Sequence, residues 1–232
     1  MKKIHKFLAG FTLLEKTLWL ISVILITVSF LIFDRTGYLT LTASLIGVTS
    51  LILNAKGNPI GQALMIIFSV LYGIISYSFS YYGEMITYLG MTGPMAVLAL
   101  ISWLKNPYAG NHAEVKVNRL KKSEAIFMCI LTIAVTAVFY FILKTFNTAN
   151  MIPSTISVTT SFLAVYLTFR RSSFFPLAYA ANDIVLIVLW VLATRENIGY
   201  LSVVICFVVF FVNDLYGFIN WSKMKHRQEI EL

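Results

Sequence analysis

Long apolar runs, separated by short polar segments, make up most of this chain. A helix rises about 1.5 Å per residue, so crossing about 30 Å of hydrocarbon takes about 20 mainly apolar residues. The pattern therefore predicts an all-α integral membrane protein with about eight transmembrane helices, the second of which is the shortest. The predicted spans are residues 17–33, 38–53, 60–80, 85–103, 123–143, 151–169, 173–194 and 198–221.

One connector is much longer than the others and divides the spans into two groups. It covers residues 104–122 and is polar and basic, whereas the other connectors are short and contain helix-breaking residues such as Gly37 and Pro59. Five segments are predicted from this division. They are an N-terminal tail with an additional helix (1–37), a first three-helix unit (38–103), a basic loop with a linking helix (104–150), a second three-helix unit (151–223) and a C-terminal tail (224–232).

The two three-helix units resemble each other weakly in sequence. At an offset of 118 positions, Trp-Leu-Lys at 103–105 falls on Trp-Ser-Lys at 221–223, and Tyr72 falls on Trp190. Because a single helix separates the units, both enter the membrane from the same side, which predicts parallel repeats in a 1+3+1+3 plan. Transporters often place the solute near mid-membrane, where such repeats meet.

The composition agrees with a membrane protein. Hydrophobic residues make up 59% of the chain and charged residues 12%, with a mean hydropathy of +0.82, whereas an average soluble domain is about 25% charged. No small-residue cleavage site follows the first apolar run, so we expect a retained helix rather than a signal peptide. Cys129 and Cys206 lie in apolar runs and are interpreted as small buried residues, not as disulfide partners or metal ligands.

The positive charges predict the orientation. If both termini are cytoplasmic, all but three of the 18 lysines and arginines lie on the cytoplasmic side, as the positive-inside rule requires. The exceptions are Arg35, Lys144 and Arg195. The net charge of +8 is therefore interpreted as a topology signal and not as a nucleic-acid-binding surface. We expect a multi-pass protein of the cell membrane.

Ionisable residues are rare inside the predicted spans. Asp183 and Asp214 are the two that qualify, and a charged group in hydrocarbon costs at least about 2.5 kcal/mol, so such groups usually face the interior of the bundle. Glu84 lies at an outer helix end and is expected to be solvated. The three histidines fall outside the spans and no phosphate-binding glycine loop is present, so we expect no cofactor, no metal site and no ATP-driven step.

Polar and aromatic residues recur at helical spacing in several spans. Residues three, four or seven apart share a helix face, which groups Tyr179, Asp183 and Trp190. Aromatic, amide and carboxylate groups together suit a flat, hydrogen-bonding solute such as a nucleoside or a heteroaromatic vitamin. The same residue types also form hydrogen bonds between helices, and both interpretations stay open. The candidate solute contacts are Asn213, Asn220, Asn182, Trp190, Asp183, Tyr179, Gln62, Tyr72, Asp214 and Tyr216.

Two segments carry a family resemblance: residues 213–221 (NDLYGFINW) at the end of the last span, and residues 103–108 (WLKNPY) after the fourth. With the 1+3+1+3 plan, they resemble the PnuC family of vitamin transporters, best known for nicotinamide riboside, over about residues 38–223. The resemblance implies a fold similar to that of the SWEET sugar transporters and a homotrimer. It also implies passive uptake of nicotinamide riboside, an NAD precursor that a cytoplasmic kinase then traps by phosphorylation. Asn182, Asn213 and Asn220 match asparagine positions of the family.

One departure from the family concerns the seventh span. The family often has tryptophans seven and four residues before Asn182, where this chain has Phe175 and Ala178. Tyr179 and Trp190 are expected to supply aromatic surface instead. The alternative solutes are thiamine, riboflavin or a deoxynucleoside.

Two further hypotheses concern the intramembrane carboxyl groups. In one, the protein is an intramembrane enzyme or sensor in which Asp183 and Asp214 are paired catalytic carboxylates. No nucleophile or metal ligand accompanies them in the sequence, and the leading prediction is a protein without enzymatic activity. In the other, Asp183 couples transport to protons.

Overall fold

Helices form almost all of the structure, a computed structural model that describes residues 10–78, 81–148 and 150–231. The elements are α1 (Leu13–Phe33), α2 (Tyr38–Ala55), α3 (Pro59–Ser78), α4 (Tyr82–Thr87), a π-helix (Tyr88–Thr92), α5 (Gly93–Leu104), β1 (Pro107–Tyr108), β2 (Asn111–Val115), α6 (Lys122–Thr145), α7 (Met151–Phe169), α8 (Phe175–Ala193), a 3-10 turn (Ile198–Tyr200) and α9 (Leu201–Ile230). Eight helical segments in the described part are long and apolar enough to cross a membrane.

The eight predicted spans are confirmed, with shifts at their ends. Helix α1 begins at Leu13 rather than at residue 17, because Thr12 and Glu15 form a capping box that starts the helix earlier. Helix α9 continues to Ile230, well past residue 221. The predicted third span ended at residue 80, but residues 79 and 80 lie outside the described residues, as does most of the N-terminal tail (1–9).

The fourth span is a single crossing with an irregular middle. Between α4 and α5 the chain makes one π-helical turn, in which the Gly93 amide donates to the Tyr88 carbonyl. Pro94 follows directly and has no amide hydrogen, so the regular series of helical backbone hydrogen bonds is interrupted at this point. The π-turn buries the side chains of Tyr88, Met91 and Thr92, and such turns are frequent at functional sites.

The long basic connector forms a β-hairpin, which the sequence analysis did not predict. Strands β1 and β2 pair antiparallel. The end of β2 and the segment that follows it form backbone hydrogen bonds with the turns after α2 and α7. The Val115 amide donates to the Gly57 carbonyl at 3.0 Å, and the Asn118 amide donates to the Arg171 carbonyl at 3.0 Å. Gly57 and Arg171 both have positive φ, the left-handed conformation in which many α-helices end. We call this side of the bundle the hairpin face.

Two tryptophans join the halves of the chain just beneath the hairpin. The Trp103 indole donates to the Thr168 carbonyl at 2.9 Å, and the Trp221 indole donates to the Asn54 carbonyl at 2.8 Å. Each of these carbonyls also accepts a hydrogen bond from a backbone amide of the turn after its own helix, at 2.9 Å. The indoles are therefore second donors, and they connect each helix end to the other half of the chain. The two indole rings lie 5.4 Å apart, and Phe175 packs against both.

Helix α6 lies at the periphery and packs mainly along α7. In its most apolar stretch only 11% of residues are buried, against 50% for α7, so most of its side chains lie on the outside of the bundle. Cys129 is one of these exposed residues, which corrects the expectation that both cysteines are buried. Cys206, in α9, is buried as expected.

Gly47 permits a close approach between α2 and α9. A Cβ atom at this position would lie 2.4 Å from Cζ of Phe210, whose ring is held in the aromatic core. We expect Gly47→Ala to destabilise the protein by about 1–3 kcal/mol, a typical cost of overpacking a core. Its melting temperature in detergent should fall clearly below that of the parent protein. In the control Gly90→Ala, the new Cβ has no neighbour closer than 3.9 Å. Equal melting temperatures for the two variants would contradict the close packing at Gly47.

Candidate functional site

The ten candidate side chains follow the interior of the bundle from the face opposite the hairpin to the hairpin face. They fall into three groups by depth. Tyr72 and Trp190 lie nearest the opposite face. The middle group contains Tyr179, Asn182, Asp183, Asn213 and Asp214. The group nearest the hairpin face contains Gln62, Tyr216 and Asn220.

Tyr72 and Trp190 meet directly. The Trp190 indole donates to the Tyr72 hydroxyl at 2.7 Å. The Tyr72 ring also packs against Tyr88, with centroids 4.4 Å apart, and against Phe207 at 5.7 Å. The cavity beside these rings has a volume of about 10 Å³, the lower limit for holding one water. The space beside the Tyr72 ring is therefore too small for a solute in the structure.

The two intramembrane carboxyl groups form a pair. Asp183 of α8 and Asp214 of α9 are 4% and 5% exposed, and their carboxyl groups lie next to each other. The Tyr179 ring is close to both. Among the described residues, Oδ2 of Asp183 has no hydrogen-bonding partner, and none of the four ion pairs involves either carboxyl group. The sequence placed both residues inside the bundle, and the fold brings them together.

The asparagine that precedes each carboxyl residue is fixed by another helix. Oδ1 of Asn182 accepts hydrogen bonds from the hydroxyl groups of Thr160 and Ser161, at 2.8 and 3.0 Å. Nδ2 of Asn213 donates to the Ser22 hydroxyl at 2.9 Å, while its Oδ1 has no partner among the described residues. The side-chain oxygen of Asn182 is therefore used in hydrogen bonds between helices, whereas that of Asn213 is a free acceptor among the described residues.

Ser22 was missed by the sequence analysis, which treated the first span as an addition to the repeats. Its hydroxyl is buried and connects α1 to Asn213 in the middle of the bundle. Glu15, Ser22 and Ser29 are all buried and lie seven residues apart on α1. Since positions seven apart share a helix face, this spacing was the signal that α1 packs against the site.

Near the hairpin face, Gln62 takes part in a polar chain between α2 and α3. Its Nε2 donates to Oδ1 of Asn54 at 2.9 Å, and Nδ2 of Asn54 donates to the Ser50 hydroxyl at 3.2 Å. The Gln62 side chain is 1% exposed, yet its Oε1 has no partner among the described residues. Gln62 thus presents a second free acceptor in the bundle.

Tyr216 and Asn220 lie next to an open cavity at the hairpin face. The Tyr216 hydroxyl donates to Oε1 of Glu15 at 3.2 Å, and Glu15 forms an ion pair with Lys56 at 2.8 Å. Nδ2 of Asn220 donates to the Ala55 carbonyl at 2.7 Å. The cavity measures about 530 Å³, and Glu15, Lys56 and Asn220 are among the residues that line it. We call this cavity the hairpin-face vestibule.

Glu84 does not lie in solvent, which corrects the expectation from its position at a helix end. It is 3% exposed, because the irregular fourth span turns it inward toward Ser157 of α7. Its Oε2 has no hydrogen-bonding partner among the described residues. The structure thus contains a further buried carboxyl group that the sequence analysis did not place in the site.

Eight apolar helices around a row of buried amide, carboxyl and aromatic side chains are the architecture of an integral membrane transporter. The model of the nicotinamide mononucleotide transporter family matches residues 37–223, and the chain belongs to this family.

Two known proteins are similar to the chain over nearly its whole length. The nicotinamide riboside transporter PnuC of Neisseria mucosa is 25% identical over 222 residues, which cover 94% of this chain and 84% of that protein. A solved structure described as the crystal structure of the vitamin B3 transporter PnuC matches with a TM-score of 0.82 and 26% identity, covering 94% of each chain. The predicted resemblance to PnuC is confirmed. The protein is a transporter and not an enzyme, so the enzyme hypothesis for Asp183 and Asp214 is set aside.

The contact between Ser22 and Asn213 can be tested with a matched pair of variants. Ser22→Ala removes a hydrogen bond between helices, which is worth about 0.6–1.7 kcal/mol in membrane proteins. In the control Ser29→Ala, the lost hydroxyl bonds only to a carbonyl of its own helix, that of Ile26. We expect a lower melting temperature in detergent for Ser22→Ala than for Ser29→Ala. Equal melting temperatures would mean that α1 is not held through this contact.

Proposed function

We propose that the protein mediates facilitated uptake of nicotinamide riboside. The observation that carries the proposal is a set of buried acceptor atoms without partners: Oε1 of Gln62, Oδ2 of Asp183 and Oδ1 of Asn213. Buried polar groups are normally hydrogen-bonded, so these atoms are suited to accept bonds from a solute. Nicotinamide riboside carries matching donors in its carboxamide and its ribose hydroxyl groups. The similarity to a relative named as a transporter of this solute supports the same conclusion.

The proposed path runs along the row of candidate residues, from the closed aromatic end to the hairpin-face vestibule. The vestibule volume of about 530 Å³ lies within the range of small-molecule sites, about 300–1,000 Å³. Tyr72 and Trp190 separate when the closed end opens, and Tyr179, Asn182, Asp214, Tyr216 and Asn220 complete the lining. The Tyr72 and Trp190 positions, which the repeat predicts to be equivalent, are hydrogen-bonded to each other, and this supports parallel repeats that meet on the path.

The hairpin face is proposed to be cytoplasmic, with both termini on that side. Among the described residues it carries most of the basic side chains, in the turns after α2 and α7, in the connector and at the end of α9. This is the distribution that the positive-inside rule requires. A kinase on this side would trap the solute as its phosphate, and passive flux would then proceed inward. A homotrimer is the proposed assembly, on the family resemblance alone.

Transport by proteoliposomes tests the function. We expect counterflow of labelled nicotinamide riboside without ATP, and no loss of the flux when a protonophore is added. Asn213→Ala should weaken solute binding about tenfold, because a buried hydrogen bond of about 1.4 kcal/mol is lost. The control Asn197→Ser changes an exposed amide in the turn before α9 and should transport normally.

The outcomes separate the alternatives. Absence of counterflow for nicotinamide riboside would overturn the proposed solute. Flux that collapses with a protonophore would instead support proton coupling through Asp183. Normal binding by Asn213→Ala would remove Asn213 from the set of solute contacts.

A second candidate function is the same transport for thiamine, riboflavin or a deoxynucleoside. The specific observation is the position of Phe175 and Ala178, which stand where the family often has tryptophans. The Phe175 ring is 2% exposed and packs between Trp103 and Trp221 at 6.0 and 4.7 Å. It belongs to the contact between the two halves, so the aromatic surface for the solute differs from that of tryptophan-bearing relatives. Inclusion of these solutes as competitors in the counterflow assay decides between the two candidates.

The orientation can be tested by labelling single cysteines. In a background with Cys129→Ala and Cys206→Ala, Lys116→Cys places a thiol in the connector and Arg195→Cys places one before the 3-10 turn; both positions are exposed. A membrane-impermeant maleimide should label Arg195→Cys in intact cells and Lys116→Cys only after permeabilisation. The reverse pattern would invert the proposed orientation.

A further inference from the structure

Glu84 is a buried carboxyl group that the proposed path does not yet use. It lies in the short helix α4 and is 3% exposed. The Ser157 hydroxyl lies beside it, and neither Ser157 Oγ nor Oε2 of Glu84 makes a hydrogen bond of standard geometry among the described residues. A carboxyl group that only stabilised the fold would be expected to have its oxygen atoms satisfied, because an unpartnered buried group is destabilising.

Among the described residues, Glu84 takes part in no ion pair. The four ion pairs of the described residues involve Glu15, Glu114, Glu124 and Glu229, all near the hairpin face. Glu84 is in the opposite half of the bundle, next to the loop that joins α3 and α4. Ionisable residues kept inside a membrane protein without a partner generally serve the passage of a solute or an ion.

Two tyrosines lie near this carboxyl group. Tyr72 and Tyr88 are within electrostatic range of Glu84, and their ring centroids are 4.4 Å apart. Tyr88 is also close to Asp183, deeper in the bundle. Ring faces attract cations through their quadrupole. A carboxyl group with two such rings is therefore suited to a planar group that carries positive charge.

The hydroxyl groups around these rings point to the same conclusion. Ser76 lies one turn beyond Tyr72 on α3 and is fully buried, and Thr92 ends the π-helical turn that begins at Tyr88. Neither Ser76 Oγ nor Thr92 Oγ1 has a hydrogen-bonding partner among the described residues. Both have acceptor capacity that the packed structure leaves unused, in the same part of the bundle as the unpartnered carboxyl oxygen.

We propose that Glu84, together with Tyr72 and Tyr88, forms an outer recognition site that selects solutes with a positively charged aromatic ring. The inference rests on the proposed function, since it concerns a solute that passes along the same path. The charged ring binds here when the aromatic end opens, and it then moves past Tyr88 toward Asp183. Uncharged solutes of the same shape gain nothing from the carboxyl group and enter less readily.

Two forms of one solute test the charge requirement. Nicotinamide riboside has a pyridinium ring with a positive charge, whereas its 1,4-dihydro form is uncharged and nearly the same shape. In proteoliposomes, the charged form should compete for uptake at about tenfold lower concentration than the uncharged form. A wild-type protein that binds both forms equally overturns the proposal, and this measurement does not depend on any variant.

Variants locate the effect at Glu84. Glu84→Gln keeps the shape and removes the charge, and we expect about a tenfold loss of affinity for the charged form with less than about a twofold change for the dihydro form. Glu84→Asp should keep part of the preference. The control Glu196→Gln, at an exposed residue near the same face, should behave like the parent protein. Equal losses for both forms in Glu84→Gln would show a structural role and overturn the inference.

Failure of the proposed function gives a different result. If the wild-type protein does not take up nicotinamide riboside but takes up thiamine, the proposed solute is wrong. The charge requirement is then tested with thiamine, which is a cation, against its uncharged oxidation product thiochrome. If Glu84→Gln takes up nicotinamide riboside and prefers the charged over the dihydro form as strongly as the parent protein does, only the role of Glu84 is contradicted.

Discussion

The structure depends on two hydrogen bonds in which a tryptophan of one half of the chain donates to a backbone carbonyl at the end of a helix from the other half. Trp103 donates to the Thr168 carbonyl, and Trp221 donates to the Asn54 carbonyl. Each carbonyl also accepts a hydrogen bond from a backbone amide of the turn after its own helix, so the indole is a second donor that connects this turn to the other half of the chain. The hairpin then binds the turns that follow the same two helices, through Val115 and Asn118. This face is consequently the fixed part of the molecule, around which the rest is arranged.

The opposite half of the bundle is held by different forces. Its core contains aromatic rings, several of them packed edge to face, and a hydrogen bond between Tyr72 and Trp190. Moving packed aromatic rings past each other costs less free energy than breaking a network of backbone hydrogen bonds. We therefore expect opening to occur in this half. The proposed path begins there, and the open vestibule lies at the fixed face. The unpartnered carboxyl group of Glu84 is in this aromatic half, where a solute would first make contact in the proposed orientation.

Buried polar groups in this protein serve two purposes, and the hydrogen-bond pattern distinguishes them. Thr160, Ser161 and Asn182 satisfy one another and join α7 to α8. Asn213, Gln62 and Asp183 keep an unpaired acceptor in the interior, which lowers stability without benefit to the packed state. A transporter needs such atoms because a solute must find hydrogen bonds inside the membrane that replace those it leaves in water.

The sequence by itself determined the membrane class, the eight spans and the family, because hydropathy, charge and a few motif residues are local properties of the chain. It also placed Asp183 and Asp214 in the interior, since no other position is tolerable for them. Only the tertiary structure decided which groups meet: the two carboxyl groups, Tyr72 with Trp190, and Ser22 with Asn213. The hairpin and the burial of Glu84 were decided there as well. Both depend on contacts between residues far apart in the chain, the hairpin on the turns after α2 and α7, and Glu84 on the irregular fourth span that turns it toward α7.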